Sequence, residues 1–459
     1  MVPEGYSQVF ILVIFVIGIP LAMVRPYGVF LFSCMLMVAG SRFAFISTRT
    51  AFFGPYLNMG DACVLIALLG LVVDKWQNKA RFSLPSLLIV ILSVLFVAAM
   101  QSFAKLGWTY YTLRAVRWSM AFPIGLFLGV NFVNSPRRAK FLIGAILAGV
   151  VLAALQHCRQ VAVIQQTLIV DSANHVSYRT IDFIAGGVPC AFLLAGMIWK
   201  FPKALPKRLL FLAVGSLLVI SLFLNQTRSI WFALIAAVPV TLIVFQQNHR
   251  FVLVFRDFIL SILVCIIALG IFNKITTETN LVEIATDRIF RLLDTSEHAS
   301  TADSRIRAFK TELHQWYKGT LFFGRGLQYF QNMDFGRSSP EIRIAYGHLG
   351  YVTYLSQLGL IGLFVYGVYL PLSIVRRARI IWLQRDNDSS SRYLALLGGG
   401  CIIYLSIMFL MSSSLLGLDS FAPGILGGSV LALSQRFTVQ RAAVRTYRNN
   451  YRFVRALGA

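Results

Sequence analysis

Long apolar runs separated by short polar connections set the pattern of this chain over most of its length. The runs lie near 8–24, 27–41, 58–74, 84–102, 116–133, 139–158, 181–199, 209–224, 229–246, 252–272, 348–375, 393–416 and 418–435. Most of them approach the ~20 residues that a helix needs to cross a bilayer core. They are continuous rather than alternating, which predicts membrane-spanning helices and not the strands of a barrel. The fold class expected is an all-α polytopic membrane protein with about 12–13 transmembrane helices. The first two runs are short. Read as one N-terminal element or a re-entrant pair they give the lower number, and read as two spans the higher.

Basic clusters order these spans. Lys75, Lys79 and Arg81 mark one connection, Arg137, Arg138 and Lys140 the next, and Lys200, Lys203, Lys207 and Arg208 another. Arg250 and Arg256 follow, and Arg376, Arg377, Arg379, Arg385 and Arg392 mark the last. From about residue 58 onward every second connection is basic, the pattern that positive charge retained on the cytoplasmic side produces. Residues 273–347 then fall on the external side. So do the connections near 103–115 and 159–180, the start of the span at Arg228, and His348. Glu4 and the absence of Lys and Arg from Met1 to Gln8 favour an external N-terminus. They also leave no signal-peptide n-region, so the first span is expected to be retained.

Composition agrees with this picture. The chain has 459 residues, 57% hydrophobic and 13% charged, with mean hydropathy +0.72. A soluble domain would carry roughly twice that charged fraction. The net charge of +24 does not point to nucleic acid, because the Lys and Arg residues sit in short loops between apolar runs. Cys34, Cys63, Cys158, Cys190, Cys265 and Cys401 lie within or at the edges of apolar runs without metal-ligand spacing. They read as small core residues, and no metal or cofactor is expected.

The connection at 273–347 differs from the others. It holds nine of the chain's eighteen acids against ten Lys and Arg, so it is nearly neutral. That balance fits a small folded element rather than a tether. Ile306, Phe309, Leu313, Trp316 and Tyr317 recur at helical spacing, with Arg305, Arg307, Lys310 and His314 at the polar positions. This predicts an amphipathic helix lying along the membrane surface with its apolar face inward, capped by Thr301 or Asp303. Phe323-Gly324-Arg325-Gly326-Leu327 reads as a glycine turn. At the C-terminus, Arg441, Arg445, Arg448, Arg452 and Arg455 form a basic stripe suited to anionic headgroups.

No P-loop, dinucleotide-binding glycine pattern or zinc motif is present. The residues that can carry chemistry are external arginines and a histidine. Charge at the edge of a span is costly unless it is partnered or lines a polar cavity. Arg228 is thus the first candidate, with Arg305 and Arg307 on the same side of the membrane. Arginine grips phosphate in a bidentate manner and keeps its charge, so two or three together suit a pyrophosphate. His348 opens its span from that side and titrates near neutral pH, as a general base must. Arg179, Arg114 and Arg117 are further substrate-binding candidates. His175 and His314 read as surface residues.

Thr227-Arg228-Ser229, Asp303-Ser304-Arg305-Ile306-Arg307…Trp316, Phe323-Gly324-Arg325-Gly326-Leu327 and His348…Leu358-Gly359-Leu360-Ile361-Gly362 together resemble the O-antigen ligase and polymerase superfamily. The resemblance covers about residues 180–375. It implies a C-class glycosyltransferase fold with one large periplasmic loop, and transfer without a metal. The implied donor is an undecaprenyl-pyrophosphate-linked glycan, and the implied acceptor is a hydroxyl of a glycan or of a lipid A-core. By position it assigns Arg228, Arg305 and His348 to the reacting centre, with Arg307 as the alternative to Arg305. Two features depart from the family pattern. Leu349 follows the histidine where Asn is common, and Gln357 stands where an acid is common. An external N-terminus is also unusual for the family.

The expected organisation is N-terminal transmembrane helices in 1–272, a periplasmic loop in 273–347, C-terminal transmembrane helices in 348–435 and a basic cytoplasmic tail in 436–459. The expected activity is inverting glycosyl transfer at the periplasmic face of the bacterial inner membrane, in O-antigen or exopolysaccharide biosynthesis. Membrane lipids and polysaccharide-assembly proteins are the expected partners. Ligase and polymerase are not separable from sequence. The rival class is a transporter or flippase of lipid-linked oligosaccharide, which should show internal repeats, broken spans and charge near mid-membrane.

Overall fold

The computed structural model describes residues 4–39, 59–168, 187–198, 205–224, 228–245, most of 309–327, 350–384, 388–411 and 420–438. The N-terminal part contributes α1 (Glu4–Val24), α2 (Pro26–Ala39), α3 (Met59–Gln77), α4 (Ser86–Leu106), α5 (Tyr110–Ser119), α6 (Ala121–Phe132) and α7 (Pro136–Leu168). There follow α8 (Val188–Ile198), α9 (Leu205–Leu224) and α10 (Arg228–Phe245). Beyond the loop come α11 (Gly350–Phe364), a π-turn over Val365–Tyr369, α12 (Leu370–Leu383), α13 (Ser389–Met411) and a last helix, α14, over 421–438. Among the described residues the only non-helical pairing is an isolated bridge between Thr320 and Gly324.

Among the described residues, five helices are long and apolar enough to cross a membrane: Ser86–Leu106, Ala115–Phe132, Pro136–Cys158, Gly350–Leu383 and Ser389–Leu410. Leu12–Val24, Pro26–Ala39, Leu212–Leu222 and Ile230–Phe245 are shorter apolar helices. The protein is an all-α polytopic membrane protein, as the hydropathy pattern predicts. The run at 252–272 and the tail from 439 onward lie outside the described residues. Bulky apolar side chains such as Val16, Phe96 and Ile243 are exposed on the bundle's flank, as a lipid-facing surface requires.

Lipid tails are as apolar as leucine, so helices in a bilayer associate through close packing rather than hydrophobic gain. The closest crossing here is between α6 and α14. Gly125 and Gly129 lie against the carbonyls of Phe421 and Ile425, while Gly424 and Gly428 lie against those of Phe122 and Leu126. A Cβ at any of the four positions would overlap the opposing backbone. Each helix thus presents two glycines four residues apart to the other. Proline shapes the span after the loop: Pro371 stands at the start of α12, where its ring would crowd the preceding turn, and the π-turn before it widens the helix.

The bundle has a basic end. Arg138 donates to Asp74 at 2.9 Å and to the Phe132 carbonyl at 3.0 Å, and its guanidinium lies over the Tyr27 ring. Asn131 exchanges two hydrogen bonds with the Ser83 backbone. Arg436 donates to the Asn134 carbonyl, Arg377 to the Ser434 hydroxyl and Trp382 to the Phe245 carbonyl. These contacts gather the connections at 75–83 and 131–140 with the ends of α10, α12 and α14. The opposite end then receives the first turns of α3, α10 and α11 and the last turn of α4.

Candidate functional site

At that opposite end α11 is broken. Gly359 has φ 71° and ψ −167°, backbone that only glycine adopts without strain. In a regular helix the amides of Leu360 and Ile361 would bond to the carbonyls of Ser356 and Gln357. Those four groups bond instead to the glycine turn of the loop. Arg325 N–H donates to Ser356 at 2.8 Å and Gly326 N–H to Gln357 at 3.0 Å. Leu360 N–H donates to Leu321 at 3.0 Å and Ile361 N–H to Phe322 at 3.1 Å. The inserted turn therefore converts two helical hydrogen bonds into four between segments, so these four groups of α11 keep partners across the break. The turn fits because Gly324 and Gly326 also have positive φ, at 69° and 96°. A Cβ at Gly324 would lie 2.6 Å from the Gly359 nitrogen, and one at Gly326 would lie 2.7 Å from the Ser102 hydroxyl.

Leu360 to Leu383 alone spans about 36 Å at 1.5 Å per residue, enough for a bilayer core of ~30 Å. Lys105, at the end of α4, donates to the Arg325 carbonyl at 2.9 Å, and Leu327 N–H reaches the Ala98 carbonyl. The turn is thus held by α4 on one side and by α11 on the other.

Above the turn, residues 309–310, 312–314 and 316–317 are helical, as the spacing predicts. The helix is oriented differently from a simple apolar-inward stripe. Glu312 is its most buried residue at 3% exposure, while Leu313 and Tyr317 face outward. The carboxylate accepts a long hydrogen bond of 3.4 Å from Thr353 on α11. Burial pushes the Glu312 carboxyl up to about 7, and the Thr353 hydroxyl pulls slightly the other way. Arg117 on α5 pairs with Asp61 on the first turn of α3 at 3.0 Å. α5 itself is started by Thr109, whose hydroxyl accepts from the Thr112 amide.

The structure treats the sequence-derived candidates unequally. Arg228 is the first residue of α10, with its side chain outside the described residues. The Trp231 indole ties that first turn back to the Leu222 carbonyl of α9. Arg114 lies on α5 with its side chain likewise outside. Arg179, Arg305, Arg307 and His348 lie outside the described residues, His348 two positions before α11 begins. Arg117 is in view and already paired. Among the described residues no group of three or more His, Cys, Asp or Glu is placed to hold a metal. Sequence reasoning did not single out Glu312, Asp61, Lys105 or the break at Gly359. The one signal available was Asp61 at the edge of an apolar run, a charge that needs a partner.

Residues 209–367 match the family model described as O-Antigen ligase. The match begins in α9, takes in Arg228 and the whole loop, and ends in the π-turn after the broken helix. It supports the O-antigen ligase and polymerase superfamily and, with it, a ligase- or polymerase-type glycosyl transfer. No curated protein matches the chain.

Proposed function

We propose that the chain transfers a glycan from an undecaprenyl-pyrophosphate carrier to a hydroxyl acceptor, at the end of the bundle opposite its basic connections. The observation that carries this reading is the shared location of four elements. The start of α10, the glycine turn, the loop helix and the start of α11 all belong to that end, and the family match spans all four.

The chemistry follows from the residues assigned there. The acceptor oxygen attacks the anomeric carbon as the bond to the carrier pyrophosphate breaks, with inversion at that carbon. Negative charge grows on the leaving pyrophosphate. Arg228 sits at a helix N-terminus, where the helix dipole already favours an anion, and its guanidinium adds a permanent charge. Arg305, with Arg307 near it in sequence, supplies the second charge from the loop. Fixed charges in a partly dehydrated site are a strong form of transition-state stabilisation. His348 takes the proton that the acceptor hydroxyl loses. Arg179, Arg114 and Arg117 are assigned to substrate binding. The docked loop excludes water and limits hydrolysis of the donor.

Interrupted helices also occur in transporters, and the break at Gly359 is the one feature that favours that second reading. There, however, unwound backbone coordinates the cargo, whereas the backbone groups at this break are taken up by the inserted turn. The test is the glycan profile of cells lacking the gene. Single repeat units left on the carrier mean a polymerase, and full-length chains stranded on the carrier mean a ligase. Unmodified donor confined to the cytoplasmic leaflet would overturn the transferase reading in favour of a flippase.

A further inference from the structure

The mechanism leaves the most buried acid of the loop unused. Glu312 lies on a helix whose polar positions, by spacing alone, should face water. It is instead 3% exposed, and its carboxyl meets the Thr353 hydroxyl at 3.4 Å. Thr353 itself is 1% exposed. The two ends of this contact matter for where they lie in the chain. Glu312 follows Arg305 by seven residues and Arg307 by five, and Thr353 follows His348 by five. One buried polar contact therefore joins the segment bearing the loop arginines to the segment bearing the histidine.

We propose that Glu312 is a positioning residue, whose buried carboxyl docks the loop helix on the first turns of α11 and so fixes the segment that follows Arg305 and Arg307 in sequence against the span that follows His348. This rests on the transferase reading given above. Among the described residues no cation is paired with Glu312, and neutral glutamic acid suits such a place, because a buried charge without a cation partner is costly. The titratable groups of the surrounding described elements are Lys310, His314 and Tyr317 on the same helix with Lys318 at its end, Lys105 on α4, Arg325 in the turn, and Tyr351 and Tyr354 on α11. None of them is an acid, and burial rather than a charged neighbour is the main cause of the raised carboxyl value.

The sign of the resulting pH dependence is fixed. The docked carboxyl titrates near 7 and a free one near 4.5, so docking is strongest below the lower value. It weakens as pH rises and has lost this contribution above about 7. Between pH 6 and pH 8 the docked population should fall about tenfold relative to the undocked.

The experiment uses the full-length protein in lipid nanodiscs. Amide hydrogen exchange of 309–327 and 350–361 is read at pH 6 and pH 8, corrected for intrinsic rates, in wild type, Glu312→Gln, Glu312→Ala and Thr353→Val. Glycan transfer is followed across the same pH range in membranes carrying the cell's own donor, with Arg228→Ala alongside. Wild type should lose protection of 309–317 about tenfold. Glu312→Gln should hold that protection nearly flat and transfer more than wild type at pH 8, and Glu312→Ala and Thr353→Val should be less protected than wild type at pH 6. Identical pH behaviour in wild type and Glu312→Gln, or full protection in Glu312→Ala, would overturn the proposal. If Arg228→Ala transfers normally while exchange behaves as described, the transferase reading fails and the docking contact stands. If Arg228→Ala is inactive and the Glu312 variants match wild type, only the docking proposal fails.

Discussion

Replacing Gly359 with alanine tests the broken helix where it is most constrained. At φ 71° and ψ −167° a non-glycine residue pays about 1–3 kcal/mol in backbone strain alone. The new methyl would also collide with the Phe322 carbonyl and the Gly324 amide nitrogen, the backbone of the inserted turn. Relief requires the turn to withdraw and give up four hydrogen bonds between segments, a cost that undocking carries in the wild type as well. The substitution therefore shifts the balance by the strain it adds to the docked state, about 1–3 kcal/mol, so the undocked population rises by roughly 10–10²-fold. Hydrogen exchange of 320–327 in nanodiscs reads this directly, and those amides should lose about one to two decades of protection. Gly144→Ala, where a Cβ meets open space, is the control and should leave exchange unchanged. Wild-type protection in Gly359→Ala would refute the claim that the turn is wedged into the break.

Three further outcomes follow from the same geometry. Gly428→Val should separate α14 from α6 and lower the melting temperature in detergent by several degrees, whereas Gly215→Ala, with open space around it, should not. Arg138→Ala leaves the mostly buried Asp74 without its cation and should cost about 1–3 kcal/mol in unfolding free energy, of which Asp74→Asn in the same background should recover a part. Asp61→Asn should weaken the hold on Arg117, and a double-mutant cycle with Arg117→Gln in thermal unfolding should give a coupling of about 0.5–1 kcal/mol at this partly exposed pair.

The helices were legible because burial in lipid demands long, continuous apolar runs, and α4, α10 and α13 fall within a few residues of the runs that predict them. The glycine turn was legible too, since closely spaced glycines around an arginine have few other uses. The break at Gly359 was not. Glycine within an apolar run is common in membrane helices, and only the partner segment shows that this one has left the helix. Glu312 was hidden for a related reason: at its place in the stripe a charged residue reads as solvent-facing, and its burial depends on a hydroxyl forty-one residues away. The candidate arginines and histidine were found through topology, which says on which side a charge lies but not which charges meet.

The central claim is that Arg228 and His348 act in one glycosyl transfer. Its most direct test is transfer from the lipid-linked donor in membranes of cells expressing Arg228→Ala or His348→Ala at wild-type levels. Loss of product with intact protein and accumulated donor is the expected result. Wild-type amounts of glycan product from either variant would contradict it.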